Sequence, residues 1–210
     1  MKLKDKNERY LLEKAEIFKS LSSPLRLQLI NFISFCPRTV EDCSKKIGQS
    51  IQNTSLHLAS LMKAGILEVE KVKNYRFYSL TDSDVAVQIR KLLRACDGAL
   101  LPSDLIWEES LNELALRVKK KETFLIDLRS SDERAYIQLN TPYAFDDSLK
   151  GLTDFLQSHF SKQDNLIFSC KGKTCERLAE AVSAAQEAHY QVKGLTLDAE
   201  ELFKFGEVLR

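Results

Sequence analysis

The sequence predicts two domains of different class: an α+β N-terminal half built from helices and one β-hairpin, and an α/β C-terminal half with a parallel sheet flanked by helices. Three observations carry this. Helical periodicity dominates residues 1–98 and is interrupted once, by two alternating segments between residues 66 and 80. From residue 123 onward, short apolar runs alternate with helical stretches, the pattern of βα units. Charge also changes sign along the chain. Residues 1–100 hold 17 Lys and Arg against 11 Asp and Glu, and residues 101–210 hold 14 against 19, so the overall +1 joins a +6 half to a −5 half. A length of 210 residues is long for one compact domain and comfortable for two. The expected boundaries are residues 1–98, a linker over 99–104 that contains Pro102, and residues 105–210. No signal-peptide pattern, bilayer-length apolar run, repeat or low-complexity tract is present, so a cytoplasmic protein with no membrane partner is expected.

In the first half, residues 15–20 are helical and lead into Leu21-Ser22-Ser23-Pro24. Ser22 or Ser23 can cap the next helix, and Pro24 fits its first turn. Residues 40–47 form a short helix that stops at Gly48. The next helix leads with polar residues (Ser50, Gln52, Asn53, Thr54, Ser55), continues with Leu58, Leu61 and Met62, and stops at Gly65. Two short helices in this order read as a helix-turn-helix. A helix with a polar leading end and a buried opposite stripe suits the DNA major groove, where the first residues of a recognition helix meet base edges. Gln49, Ser50, Gln52, Asn53 and Ser55 are the expected readers. An ordinary helical hairpin in a core is the competing account. Residues 66–71 and 76–80 then alternate around a tip at 72–75, which makes a β-hairpin. Its Lys71, Lys73 and Arg76 can reach phosphates beside a docked helix. Residues 82–96 close this half as an amphipathic helix with Val85, Val87, Ile89, Leu92 and Leu93.

Residues 10–95 resemble the ArsR-type winged-helix repressors. The match runs through residues 21–27, Ser50, Ser55, His57 and Leu58, and Lys63-Ala64-Gly65-Ile66-Leu67 at the entry to the wing. The resemblance implies a homodimer that binds double-stranded DNA at an inverted-repeat operator and answers an inducer. It also implies that the helix at 82–96 builds much of the dimer interface. His57, at the matching position, is read as a packing residue and not as a metal ligand.

In the second half, residues 104–121 read as a helix. Strands are expected at 123–128, 165–169 and 191–195, and helices at 149–160, 176–189 and 198–205. In an open parallel sheet, chemistry sits beyond the carboxyl ends of the strands. Cys170 occupies that place, and the loop Lys171-Gly172-Lys173-Thr174-Cys175 leads directly into a helix. Helix-start amides and two lysines favour a thiolate, and Gly172 lets the loop turn tightly. A structural thiol at a strand end is the competing account.

Residues 105–210 resemble a rhodanese-like sulfurtransferase domain. The match rests on residues 124–129 with Asp132-Glu133, on residues 167–175, and on Leu178-Ala179-Glu180-Ala181. The resemblance implies that Cys170 carries sulfur as a persulfide taken from a donor such as thiosulfate or polysulfide, and that Asp127 and Arg129 brace the site. Two departures bear on turnover. Residues 135–144 read AYIQLNTPYA where the family has a Gly-His-Ile-Pro-Gly-Ala segment, and only Gly194 stands where it has Gly-Gly. A phosphatase-type loop needs Arg six residues after Cys; Glu176 is there and Arg177 is one late. Cys175 either resolves an oxidised or sulfurated Cys170 or is a small inward-facing residue.

Five cysteines without dense spacing exclude a secreted disulfide scaffold. Cys36, Cys43 and Cys96 have no partner histidine in a zinc-type pattern, so no metal and no cofactor is expected. A thiol switch among these three competes with plain burial. The function expected is a dimeric repressor whose second domain carries or senses reactive sulfur. The alternatives are a sulfurtransferase that the winged helix merely dimerises, and a repressor whose second domain is a catalytically inactive ligand sensor.

Overall fold

The computed structural model describes residues 3–96, 98, 100–197 and 199–210, with residues 3–9 and Arg94 described by their backbone alone. The expected linker residue Ala99 and the expected helix start at Asp198 fall outside the described residues. The chain divides into two compact units, Met1–Ala95 and Cys96–Arg210.

The first unit runs α1 (Leu3–Leu21), α2 (Pro24–Ile33), α3 (Val40–Ile47), α4 (Ile51–Lys63), β1 (Leu67–Val72), β2 (Tyr75–Leu80) and α5 (Asp84–Cys96). Pro24 takes the first turn of α2, where its missing N–H costs no helix bond. Ser23 holds the capping position but its side chain makes no cap bond; the Ser22 hydroxyl donates backward to the Lys19 carbonyl at 2.8 Å. The serine cap expected here is therefore absent. α3 starts instead on a reciprocal box, with Thr39 accepting from the Asp42 amide while the Asp42 carboxylate accepts from the Thr39 amide. Gly48 (φ 64°) ends α3 in the left-handed region that favours glycine. The core gathers Leu29, Ile30, Ile33, Cys43, Ile47, Leu58, Leu61, Ile66, Leu67, Tyr78 and Ile89. Full burial of each large apolar side chain contributes about 1.5–3 kcal/mol before entropy is subtracted. Arg38 adds a third, single-residue rung to the hairpin: its N–H donates to the Tyr78 carbonyl at 2.9 Å and its carbonyl accepts the Tyr78 N–H at 2.8 Å.

The second unit is a four-stranded parallel sheet in the order β4-β3-β5-β6, with β3 (Phe124–Asp127), β4 (Tyr143–Ala144), β5 (Asn165–Ser169) and β6 (Gln191–Leu195). Its helices are α6 (Leu111–Lys119), α7 (Ser131–Tyr136), α8 (Leu152–His159), α9 (Glu176–Glu187) and α10 (Ala199–Leu209). Side chains alternate across the sheet, so Ile126, Leu166 and Phe168 pack with α8 and α9 residues such as Leu152, Leu156, Ala181 and Val182. Leu125 and Ile167 point the other way and are equally buried, and α6 packs against α10. Cover on both faces explains the near-continuous apolar runs in β3 and β5.

The single helix expected over residues 104–121 does not form. Residues Ser103–Leu105 make one 3₁₀ turn, Ile106 bridges Gly194 beside β6, and the Trp107 amide donates to the Gly194 carbonyl at 3.0 Å. A side chain at Gly194 would collide with Leu101, so the bare glycine admits this segment against the sheet edge. Ser110 then starts α6 by accepting from the Glu113 amide.

Candidate functional site

The first candidate surface is the exposed end of α4 with the hairpin beside it. Thr54, Leu58 and Leu61 form the buried stripe that seats α4 on the core. Ser50 caps the helix, its hydroxyl accepting from the Asn53 amide at 3.2 Å. The Asn53 side-chain amide donates to the Gln49 side-chain carbonyl at 2.8 Å, and the Ser55 hydroxyl bonds back to the Ile51 carbonyl. Of the five expected readers, Ser50 and Gln52 are exposed, while Gln49, Asn53 and Ser55 are half-buried. Sequence reasoning missed Leu56. It lies one turn after Gln52, off the buried stripe, and is 70% exposed. An apolar residue out of phase with Leu58 and Leu61 was the available signal.

The hairpin is tighter than the sequence suggested. β1 continues to Val72 and the turn is Lys73-Asn74 alone, with Lys73 at φ 55°. Lys71 and Arg76 are register partners directly across the ladder, and Lys71, Lys73 and Arg76 are all exposed. Like charges placed directly opposite destabilise a ladder unless an anion lies between or above them. His57 is half-buried on α4.

Large apolar side chains on both terminal helices of this unit are also uncovered. Tyr10, Leu11, Leu12 and Phe18 on α1, with Val85 and Leu92 on α5, are exposed, whereas Ala86 and Ile89 on α5 are buried. Cys36 and Cys43 are buried and Cys96 is exposed. Burial, then the neighbouring Asp42 carboxylate, push the Cys43 thiol up to about 12.

The second candidate site lies where the sheet order reverses. From β3 the chain moves outward to β4, then crosses back to β5 on the other side of β3. Loops leaving β3 and β5 therefore diverge, and the crevice between their carboxyl ends is the expected place for a site. After β3, Asp127 and Arg129 form a buried pair. The Arg129 Nε and backbone N–H donate to Asp127 Oδ1 at 2.9 and 3.1 Å, and Nη2 donates to Oδ2 at 2.7 Å and to the Ile137 carbonyl at 2.7 Å. After β5, Cys170 begins the loop; Gly172 (φ 80°) turns it, and Cys175 holds the capping position of α9. Lys171 reaches buried Glu133 on α7 at 3.3 Å, so part of its charge is answered. Arg177 donates to the carbonyls of Leu128, Phe145 and Asp147, each at 2.9 Å, and clamps the surrounding loops. Those bonds commit its guanidinium to backbone, which leaves it no fork for a phosphate.

The Cys170 and Cys175 sulfurs lie 3.1 Å apart in an S–H···S hydrogen bond. Cys170 is fully buried, while Cys175 is partly open. The hydrogen bond to Cys175, then burial, push the Cys170 thiol well above the usual range. The same hydrogen bond, opposed by burial and aided by the backbone amides of Lys171 and Leu178, holds Cys175 down to about 6. From sequence, Cys170 is the expected anionic and accessible sulfur. The structure corrects this: the end of β5 sits in the core, and the helix start falls five residues later, on Cys175. Lys173 and Thr174 are half-buried in the same loop. Among the described residues, no three His, Cys, Asp or Glu side chains converge as a metal site, and no helix is long and apolar enough to cross a membrane.

The family model for the bacterial regulatory proteins of the ArsR family matches residues 23–69, which span α2, the helix-turn-helix and the entry to the wing. A probable mercury resistance operon repressor of Streptomyces lividans is 33% identical over 89 residues, covering 41% of this chain and 71% of the relative. The chain belongs to the ArsR family. An uncharacterised helix-turn-helix transcriptional regulator of Mycobacterium tuberculosis is 32% identical over 74 residues, covering 35% of this chain and 65% of the relative. Among solved structures, the homodimeric winged helix-turn-helix DNA-binding domain of a possible ArsR-family regulator from Mycobacterium bovis aligns at 24% identity and a TM-score of 0.42, over 46% of this chain and 90% of that one. The transcriptional repressor BigR from Xylella fastidiosa aligns at 27% identity and a TM-score of 0.39, over 44% of this chain and 92% of that one. Helices α2 to α4 with the β1–β2 hairpin make the ArsR-family portion a winged helix-turn-helix, followed by a unit with a parallel sheet.

Proposed function

We propose that this ArsR-family chain is a homodimeric transcriptional repressor whose C-terminal unit is a rhodanese-like domain that takes sulfur from thiosulfate or polysulfide. Sulfur loading there, or on the N-terminal thiols it serves, changes operator affinity. The observation that carries the sulfur reading is the pair of thiols held 3.1 Å apart beyond the carboxyl end of β5. The DNA reading is supported by Gln52 and Leu56 exposed on α4, and by the exposed, opposed cations Lys71 and Arg76 of the hairpin. The exposed apolar side chains of α1 and α5 support a dimer, because uncovered apolar patches mark interaction surfaces.

The test selects duplexes from a random pool with the full chain, then measures affinity for the selected sequence before and after treatment with sodium tetrasulfide. The expected result is a sequence preference that falls steeply with salt, and an affinity that changes at least about fivefold on sulfur treatment, in the range of a typical coupling free energy. No sequence preference would leave an enzyme that the winged helix only dimerises. Unchanged affinity in the wild type, with no sulfur taken up, would leave a repressor with an inactive second unit. Full burial of Cys170 favours that last reading over the enzyme.

A further inference from the structure

We infer that the two thiols of the β5–α9 loop divide the work: Cys175 receives the sulfane sulfur, and buried Cys170 then displaces it as sulfide, closing a Cys170–Cys175 disulfide. This rests on the sulfur-carrier reading above and assigns it to particular atoms. Access decides the first role. Cys175 is partly open at the start of α9, whereas Cys170 lies at 0% exposure behind it, so a donor meets Cys175 first. Proximity decides the second. The sulfurs are 3.1 Å apart, and closing by about 1 Å reaches a covalent S–S length.

The loop is held in that arrangement from three sides. Gly172 takes a left-handed turn, Lys171 is tied to buried Glu133, and Arg177, two residues beyond Cys175, is bonded to three backbone carbonyls. A sulfur placed on Cys175 therefore has an attacking thiol already in reach.

The chemistry balances in two steps. The Cys175 thiolate attacks the outer sulfur of thiosulfate, or a terminal sulfur of a polysulfide. The donor S–S bond breaks, and sulfite or the shortened polysulfide leaves with the electron pair. Cys175 is left as a persulfide, Cys175–S–S⁻. Cys170 then gives up its proton and attacks Cys175 Sγ. The persulfide S–S bond breaks, and the outer sulfur leaves with the bonding pair and the proton as HS⁻. The two cysteine sulfurs are oxidised to a disulfide and the sulfane sulfur is reduced to sulfide. One turnover needs only the donor; a return to the dithiol needs an external thiol reductant.

The test treats the full chain with thiosulfate and, separately, with sodium tetrasulfide, and follows each cysteine by peptide mass mapping over time. In the wild type, a one-sulfur adduct appears on Cys175 first and gives way to a linked Cys170–Cys175 pair, with sulfide released from thiosulfate. This time course needs no variant. In Cys170→Ala the adduct on Cys175 persists at least about tenfold longer and no link forms. In Cys175→Ala, Cys170 gains no sulfur. Loading of Cys170 in Cys175→Ala at the wild-type rate would overturn the inference and leave the carrier reading standing. So would a wild-type adduct on Cys175 that never converts to the link. No adduct or link at either cysteine, in any of the three proteins with either donor, would remove the carrier reading and the inference together.

Discussion

α4 and α9 each present a helix N-terminus at a candidate site, and they use it in opposite ways. At α4 the capping position is Ser50, whose hydroxyl already occupies the Asn53 amide. The positive end of the helix is spent internally, and the outward work falls to side chains further along, Gln52 and Leu56. At α9 the capping position is Cys175, an ionisable atom. The hydrogen bond with Cys170 first, and then the backbone amides of Lys171 and Leu178, hold that sulfur down to about 6. The contrast between Cys175 and Cys43 teaches the same point. Cys43 lies within α3, buried and next to Asp42, and is pushed up to about 12. Burial and a neighbouring carboxylate raise one thiol, while a neighbouring thiol and backbone amides lower the other, although the residue type is the same.

The largest way to break the contrast is to remove the frame behind the thiols. Arg129 is fully buried and its charge is answered by Asp127 through a bidentate pair. Asp127→Ala leaves that charge uncompensated, which costs about 3–5 kcal/mol. The C-terminal unit should unfold at markedly lower denaturant, measured by tryptophan fluorescence of Trp107, which lies in that unit. A midpoint within error of wild type would mean that the pair is dispensable.

Next in size is the reactivity ratio itself. At neutral pH Cys175 is mostly thiolate and Cys43 almost wholly thiol. Iodoacetamide should label Cys175 at least about 100-fold faster than Cys43, after allowing for the weaker nucleophilicity of a low-pKa thiolate. The sign of the pH dependence is fixed by the direction of the shift. Cys175 is held below its ordinary value, so its labelling rate is on its plateau at pH 8 and falls as pH drops through about 6. A rate still climbing between pH 7 and 9 would show an ordinary thiol.

These predictions concern residues that were legible in the sequence to different degrees. Elements with strong local signals were readable: α3 ended at Gly48, and β5 and β6 were bounded as expected. The site loop was readable as well, because a cysteine after an apolar strand and before a helix is a local pattern. The depth of Cys170 was not, since burial is set by α8 and α9 packing on the sheet from distant parts of the chain. α7 and β4 escaped because one is six residues long and the other two, too short to show a period. The break before α6 escaped because it depends on Gly194, some ninety residues away, admitting Ile106 against β6.

The hairpin offers a smaller, graded test on the DNA side. Lys71 and Arg76 face each other without an intervening acid in the register. The double change Lys71→Ala and Arg76→Ala should weaken binding to selected and random duplexes alike. It should lower the magnitude of the slope of log affinity against log salt by about 2, one for each phosphate no longer neutralised. An unchanged slope would place the wing away from the backbone. Relief of like-charge repulsion should leave the free protein no less stable.

The smallest effect is also the sharpest for the contrast between the two helices. Leu56 is 70% exposed, so Leu56→Ala removes little buried surface and should shift the stability of the N-terminal unit by no more than about 0.5 kcal/mol. If α4 reads DNA through side chains beyond its capped end, the same change removes an apolar group suited to a thymine methyl. Affinity for the selected duplex should then fall severalfold while affinity for random duplex stays level. That loss without a change in salt slope separates base reading from phosphate binding, which the wing variants probe. Equal losses on both duplexes would place Leu56 on the backbone. No loss on either would move the reading surface off this face of α4, leaving Ser50 and the polar residues around it as a helix cap and nothing more.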